Sequence, residues 1–446
     1  MNKNQNVRIP GSTMELDGIT ITGIRSTAIG SIFVAETDYG IPVECPDCHI
    51  KLHKHSTKTT TVHHTPFNGK PCDVEIKKTR KICPSCGKLF YCSELPFCDS
   101  SRNITKQLEK KVIELGMETT FTHAQKELGI SDSTAERILE NFIEEKDASH
   151  KFELPYAMGL DEVKIGKTYR TTVTNLQKRT LVDFLERRDG KFLEETFRKK
   201  YSEAERAMVR WVCTDMYRPF EKPLQTLFPS AQWIIDHFHV VKMANECVEE
   251  ICRNLQNKLD DPKLAKGIKK RLRYVLLKRN RDFTREDDIK LEMVRLAIPE
   301  LVQAYGIKED FYDIYDNGTK EEAQNAFAAW EDNLPEGDLF LPFKKLAKTV
   351  HAFYDPIFRF WDSGRITNGY TECANNLARC LDRKARGLRF KILRGKLLYN
   401  EKALQAGTFS GKEYGANTRV FVSTLTGEVF YEKPEDDDVE EIDVPF

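Results

Sequence analysis

The stretch Thr367-Asn368-Gly369-Tyr370-Thr371-Glu372-Cys373-Ala374-Asn375-Asn376, followed by Arg379, Arg383, Lys384, Arg386 and Arg389, puts one carboxylate at the start of a helical run whose next turns carry amides and then cations. That order suits a metal held beside a polyphosphate backbone. Two earlier apolar segments also end in acids, Gly159-Leu160-Asp161-Glu162 and Val212-Cys213-Thr214-Asp215-Met216. An acid at a buried strand end is costly to place without a partner, so acids recurring there point to a shared cation. Cleaving a phosphodiester with water or a DNA hydroxyl needs an activated oxygen and a stabilised leaving alkoxide, and two magnesium ions about 3.5–4 Å apart supply both. Carboxylate oxygens suit Mg2+, which keeps waters and takes phosphate oxygens as its remaining ligands. Asp161 is expected to bridge the ions, with Asp215 and Glu372 each completing one side.

Asp236, in Asp236-His237-Phe238-His239-Val240, also ends a strand pattern and is the alternative to Asp215 as second ligand. Chain order favours Asp215. Asp236 and His239 are then an accessory pair, the imidazole contacting a phosphate at the scissile site or orienting a ligand. The plainer reading of the two is a helix cap and a buried histidine.

The elements that must position these acids follow from periodicity. Residues 156–163, 169–176 and 181–187 read as three consecutive strands, with Asp161 following the first. A helical pattern over 191–208, a strand over 209–214, a short helix over 223–228 and an apolar strand over 231–235 come next. This order is that of a ribonuclease-H-like mixed α/β core, in which the first and fourth strands run side by side and bring two acids together. From Met243 to about Tyr354 the pattern is helical throughout and reads as an all-helical insertion ahead of the final helix. Its basic segment Lys266–Tyr274 either tracks DNA phosphates or is a solvated face. On the final helix Glu372, Asn376, Arg379, Arg383 and Arg386 follow at steps of three and four and share one stripe, which sets cations beside the metal site.

Cysteine marks the N-terminal boundary. Cys45-Pro46-Asp47-Cys48 and Cys83-Pro84-Ser85-Cys86-Gly87 are two knuckles, each presenting two thiolates at the bite of a tetrahedral zinc. Together they form the pattern of a zinc ribbon with one structural Zn2+. The gap between them is long for a zinc finger and holds His53, His55, His63 and His64. Either one of these replaces a cysteine or all are solvated in a long hairpin. The alternation over 74–82 reads as a strand leading into the second knuckle. Downstream, a helix over 105–116 with Gly116 as its stop precedes a short helix, a glycine turn, a Ser/Asp cap and another helix over 121–139. This is a helix-turn-helix signature, and a generic helical hairpin is its alternative. Ser131, Ser133, Thr134 and Arg137 are the residues expected to face DNA.

Lysine plus arginine and aspartate plus glutamate both number 69, so overall charge does not announce a nucleic-acid partner. The charge is unevenly spread: residues 263–281 and 379–396 are basic and 435–443 acidic. No apolar run approaches the roughly 20 residues needed to cross a bilayer, and the polar start of the chain does not read as a signal peptide. A soluble cytoplasmic protein without a membrane partner is expected.

With these motifs in place, the chain resembles the insertion-sequence transposases of the ISL-three family, within the wider class that uses two aspartates and a glutamate. The resemblance rests on the paired cysteine knuckles, the helix-turn-helix pattern, Gly-Leu-Asp-Glu, Thr-Asp-Met-Tyr, Asp-His-Phe-His-Val and Thr-Asn-Gly-Tyr-Thr-Glu with its Asn-Asn. It implies DNA cleavage and strand transfer at the terminal inverted repeats of a mobile element. Expected partners are double-stranded DNA, as element ends and as target, and a second copy of the chain when assembled on DNA in a bacterial nucleoid. The DNA contacts would fall on Ser131, Ser133, Thr134, Arg137, Asn376, Arg379, Arg383 and Arg386. The alternatives are a domesticated, non-cutting DNA-binding regulator and a ribonuclease-H-like nuclease. The expected divisions are 1–100 (zinc ribbon), 101–150 (helix-turn-helix), 151–242 (first part of the core), 243–354 (helical insertion), 355–398 (final core helix) and 399–446 (tail).

Overall fold

The computed structural model describes residues 8–92, 94–99, 103–257 and 273–400, together with the backbone of a strand pair, Arg419–Val422 and Val429–Glu432. Most of the basic segment 266–274 and the acidic tail lie outside the described residues. Contacts divide the chain into two compact units, Met1–Lys151 with Leu381–Asn400, and Phe152–Cys380 with Glu401–Phe446.

In the first unit a sheet of short and long strands surrounds a small apolar core of Leu16, Ile21, Phe33, Val62, Val74 and Ile76. Its longest element is the hairpin His53–Phe67 and Lys70–Ile82. The hairpin fills the gap between the cysteine knuckles, as the solvated-hairpin reading has it. His53, His55 and His63 are exposed, whereas His64 is buried and bonded to Thr105.

Three helices follow, Lys106–Glu118, Phe121–Leu128 and Asp132–Ser149, around Leu108, Val112, Leu128, Ile130 and Ile138. The hydroxyls of Thr105, Thr120 and Ser131 accept from the first-turn amides of these helices, a contribution of about 1 kcal/mol each. Gly116 does not stop the first helix. It lies inside it, facing Leu139 and Phe121 at distances that would also admit a Cβ, and the helix runs on to Glu118.

The later segment of the same unit, helix Phe390–Leu398, packs along the third of these helices. A side chain at Gly395 would collide with Ile143, so glycine permits the close crossing. Around that contact Arg389 meets Glu136 and Glu140, Lys391 meets Glu144, and Arg394 meets Asp147. Much of the basic stretch 379–396 is therefore neutralised within the protein.

The second unit holds a five-stranded sheet. Its strands are Ala157–Ile165, Thr168–Asn175, Thr180–Leu185, Trp211–Thr214 and Gln232–Ile235, called first to fifth below. Their spatial order is third, second, first, fourth, fifth. The first three are antiparallel neighbours, and the first, fourth and fifth are parallel. The first strand is buried on both faces from Ala157 to Asp161, which explains its apolar start Ala157–Leu160. The stretch 191–208 folds as two helices, Gly190–Lys200 and Glu203–Ala207, because Ser202 starts a new one with a capping box to Glu205.

Between residues 237 and 362 the described residues of this unit are helical, as the period implied. They close on an aromatic core in which Phe311, Tyr315, Phe327, Trp330, Phe358 and Trp361 pack edge-on and stacked. Each such buried ring stabilises the fold by roughly 1.5–3 kcal/mol.

Candidate active site

The acids are positioned by strand register. The parallel ladder between first and fourth strands ends at Cys213 opposite Gly159. Asp161 and Asp215 each lie two residues beyond that last pair. The ladder between fourth and fifth strands ends at Thr214 opposite Ile235, and Asp215 and Asp236 are each the next residue. Three aspartates thus lie just beyond the carboxyl end of the parallel ladder on three adjacent strands. Asp161 is not past the end of its own strand, as the sequence suggested. The first strand continues to Ile165 because it still pairs with the second, Thr172 standing opposite Asp161.

The fourth acid arrives on helix Gly369–Lys384, and the residues around it explain how. Asn368, Thr371 and Asn375 are all buried and lie on one side of the helix start. Asn368 Nδ2 donates to the Leu160 carbonyl at 3.2 Å, the hydroxyls of Thr371 and Thr174 meet at 2.6 Å, and Thr172 donates to Asn375 Oδ1. Asn375 Nδ2 donates to Asp161 Oδ2 at 2.7 Å. The approach requires glycine at 159: a Cβ there would come within 2.3 Å of Thr371 Oγ1 and 2.4 Å of Asn368 Oδ1 and Thr174 Oγ1. Glu372 comes between these docking residues in sequence and is itself partly exposed. Its carboxylate takes an ion pair from Arg379 at 3.2 Å, and Arg379 also donates to Asn376 Oδ1 at 2.7 Å.

Electrostatics bear out the crowding. Asp161 is pushed up to about 8, first by burial and then by the charges of Asp215, Glu372 and Asp236, against a backbone hydrogen bond from Glu162. Burial raises Asp215 as well, opposed by His239, the Tyr217 amide and Arg188. Burial works on Asp236 in the same sense, but the imidazoles of His237 and His239 outweigh it and hold this carboxyl below the usual range. His237 Nδ1 lies 3.5 Å from Asp236 Oδ1, and Oδ1 has no hydrogen-bond partner. Asp236 precedes helix His237–Gln256 without capping it through its side chain.

Two residues near the acids had no place in the sequence reading. His237 is held against Tyr315 and Phe360. Arg188 pairs with Glu162, the neighbour of Asp161, and lies over the rings of Tyr169 at 4.0 Å and Tyr217 at 5.1 Å. Only the presence of a cation just after the third strand could have drawn attention to it.

The donor set fits hard divalent cations. Neighbouring carboxylates that raise Asp161 are what a bound cation would relieve. These acids are set more widely than the cysteines. Among the described residues, the ligand atoms of Cys45, Cys48, Cys83 and Cys86 all lie within 4.8 Å of one another. Cys45 and Cys86 Sγ are 3.8 Å apart, close to the edge of a tetrahedron with Zn–S bonds of about 2.3 Å. Each knuckle turns through a left-handed residue after its second cysteine, His49 (φ 53°) and Gly87 (φ 74°). The turns send the Ile50 and Lys88 carbonyls back to the amides of Cys45 and Cys83. The amide of Cys86 and then that of Ser85 lower the Cys83 thiol to about 7, favouring the thiolate a metal needs.

The other predicted contact residues are dispersed. Ser131 caps its helix, Ser133 and Arg137 are exposed on that helix, and Thr134 is partly covered. The stripe beginning at Glu372 ends at Arg383. The helix stops at Lys384, and Arg386 lies beyond it in a left-handed turn (φ 60°) closed by the Gly387 amide on the Asp382 carbonyl. No described helix is long and apolar enough to cross a membrane.

Comparison with known proteins identifies a family. The model of a family described as transposase, of the DDE type named for ISL3, matches residues 158–396. A curated relative, the transposase for insertion sequence element IS1001 of Bordetella parapertussis, is 23% identical over 132 residues, 29% of this chain and 32% of that protein's length.

Proposed function

This chain belongs to the ISL3 family of DDE transposases, and from that premise we propose that it binds the terminal inverted repeats of an insertion sequence and cleaves and transfers DNA strands there, acting as a pair of chains. The observation that carries the reading is the position of Asp161, Asp215 and Asp236 just beyond the end of the parallel ladder on three adjacent strands, with the Glu372 helix docked against the first of them. Two Mg2+ ions held there would supply an activated oxygen nucleophile and charge stabilisation for the leaving 3′ oxygen. In this reading Asp161, Asp215 and Glu372 would hold the ions. The Asp236 carboxylate, held ionised by His237 and His239, would be accessory to the site. His239, which acts on both Asp215 and Asp236, would meet a phosphate. With Glu372 holding a cation, the Arg379 guanidinium that now pairs with it would be available to a DNA phosphate.

The cysteine cluster would hold one structural Zn2+. The helix Asp132–Ser149 would present Ser133, Thr134 and Arg137 to DNA as the second helix of a helix-turn-helix, with Ser131 as its cap. Arg383 and Arg386 would contact the DNA backbone from the other segment of the same unit. The test is Mg2+-dependent nicking of duplexes carrying the element's own ends. Binding to those ends without nicking under any divalent cation would leave a regulator. Nicking without preference for the ends would leave a nuclease.

A further inference from the structure

The hairpin His53–Phe67 and Lys70–Ile82 extends well beyond the core that supports it. On its supported half Val62 stands opposite Val74, and Thr60 opposite the buried Ile76. Farther along, the same face carries Lys58 directly opposite Lys78 and Ser56 opposite Arg80. Arg80 in turn is opposite Tyr91, which is 61% exposed. Past a bulge, Lys54 is opposite Lys81.

Like charges directly opposed on neighbouring strands destabilise the ladder that carries them. Three other cations of this unit are matched: Arg25 by Glu75, Lys81 by Asp38 at 3.1 Å, Lys88 by Asp47 at 2.8 Å. Among the described residues no carboxylate pairs with Lys58, Lys78 or Arg80. A lysine on an edge strand is an ordinary guard against edge-to-edge pairing, and that suffices for Lys54 and Lys58. It does not account for Lys78 and Arg80, whose strand is hydrogen-bonded on both sides, Lys78 between Lys58 and Thr37, Arg80 between Ser56 and Tyr91. Edge guarding has no use for a cation there.

We propose that this face of the hairpin is a docking surface for the backbone of duplex DNA, with Lys58, Lys78 and Arg80 as its phosphate contacts and the Ser56 hydroxyl between them. Residues two apart on a strand are about 7 Å from each other and neighbouring strands about 4.8 Å, so the three cations form a compact triangle. The polyanion supplies the countercharge that the sheet lacks. The surface uses none of the acids and none of the residues of helix Asp132–Ser149 named above. It rests on the reading that this chain acts on DNA, but it requires binding alone.

The test uses the full chain and a labelled random-sequence duplex, with affinity measured across a range of salt. The Lys58→Gln/Lys78→Gln/Arg80→Gln variant is expected to flatten the slope of log affinity against log salt by about two to three, each phosphate contact carrying about 0.9. Its thermal midpoint should be unchanged or higher, since opposed charges have been removed, and its metal content unchanged. The exposed single variant Lys58→Gln, which leaves the ladder intact, should flatten the slope by about one. An unaltered slope in both variants overturns the surface while leaving the transposase reading standing. A wild-type chain that fails to bind duplex DNA overturns both.

Discussion

Asn375 Nδ2 donates to Asp161 Oδ2 at 2.7 Å, a bond between residues 214 positions apart in the chain. It fixes one oxygen of the most perturbed carboxylate in the site, while Oδ1 accepts from the amide of Glu162 at 2.8 Å. The amide that follows Glu372 by three residues therefore serves the first strand's aspartate, and the helix that brings the glutamate also orients its partner acid.

Replacing Glu372 by glutamine keeps the shape and removes the charge. Nicking should fall by several orders of magnitude, with binding to element ends retained. Normal Mg2+-dependent nicking by this variant would remove Glu372 from the site. In the same assay Asp215→Asn should abolish nicking, whereas Asp236→Asn should leave a measurable residue; the reverse ranking would make Asp236 the second ligand.

Asp161 gives the site a pH signature. Its folded value of about 8 lies above the ordinary 3.8, so the folded state binds the extra proton between these values. Stability from this group is full below about 4 and is lost as pH rises toward 8. In EDTA, Asp161→Asn should therefore melt above the wild type at pH 8, and the gap should close toward pH 4. Adding Mg2+ at pH 8 should raise the wild-type midpoint and not that of the variant. A gap independent of pH would mean that Asp161 titrates as an ordinary carboxylate.

Gly159→Ala tests the docking of the Glu372 helix. The added methyl has polar atoms at 2.3–2.4 Å on three sides, and such overpacking costs about 1–3 kcal/mol. Nicking should fall more than binding, because the helix must shift away from the first strand. Calorimetry and nicking on one preparation decide the matter, and wild-type values for both would show that the helix does not sit so close.

The four cysteines should bind one zinc per chain by elemental analysis. Cys83→Ser should lose the metal and lower the stability of the N-terminal region, since a closed structural site contributes folding free energy directly. Full zinc content in Cys83→Ser would move the site elsewhere.

Replacing Ser133 and Arg137 by alanine should weaken binding to element ends more than to random DNA, because base-edge contacts carry sequence information and phosphate contacts do not. Equal losses on the two DNAs would place sequence reading on another element.

The sequence by itself determined what is encoded in contiguous residues. The knuckles Cys45–Cys48 and Cys83–Cys86 carry their own turn chemistry, and the alternation of strands and helices from 156 to 235 sets the order of the core. From that order the meeting of Asp161 with Asp215 follows, because parallel neighbours end on the same side. Register and partnership were decided only in three dimensions. Glycine at 159, read merely as part of a motif, is the space into which Thr371 and Asn368 fit. Arg379, Arg389, Lys391 and Arg394 look alike as a basic run, yet each is matched by a carboxylate, those of the last three on a helix some 250 residues earlier. Arg386 left the stripe because the helix closes at Lys384, where a left-handed turn satisfies its final carbonyls more readily than another helical turn could before Gly387. Periodicity reports which face of an element is apolar; it carries no information on which distant charge will lie against it, and here those distant charges decide which cations remain available to DNA.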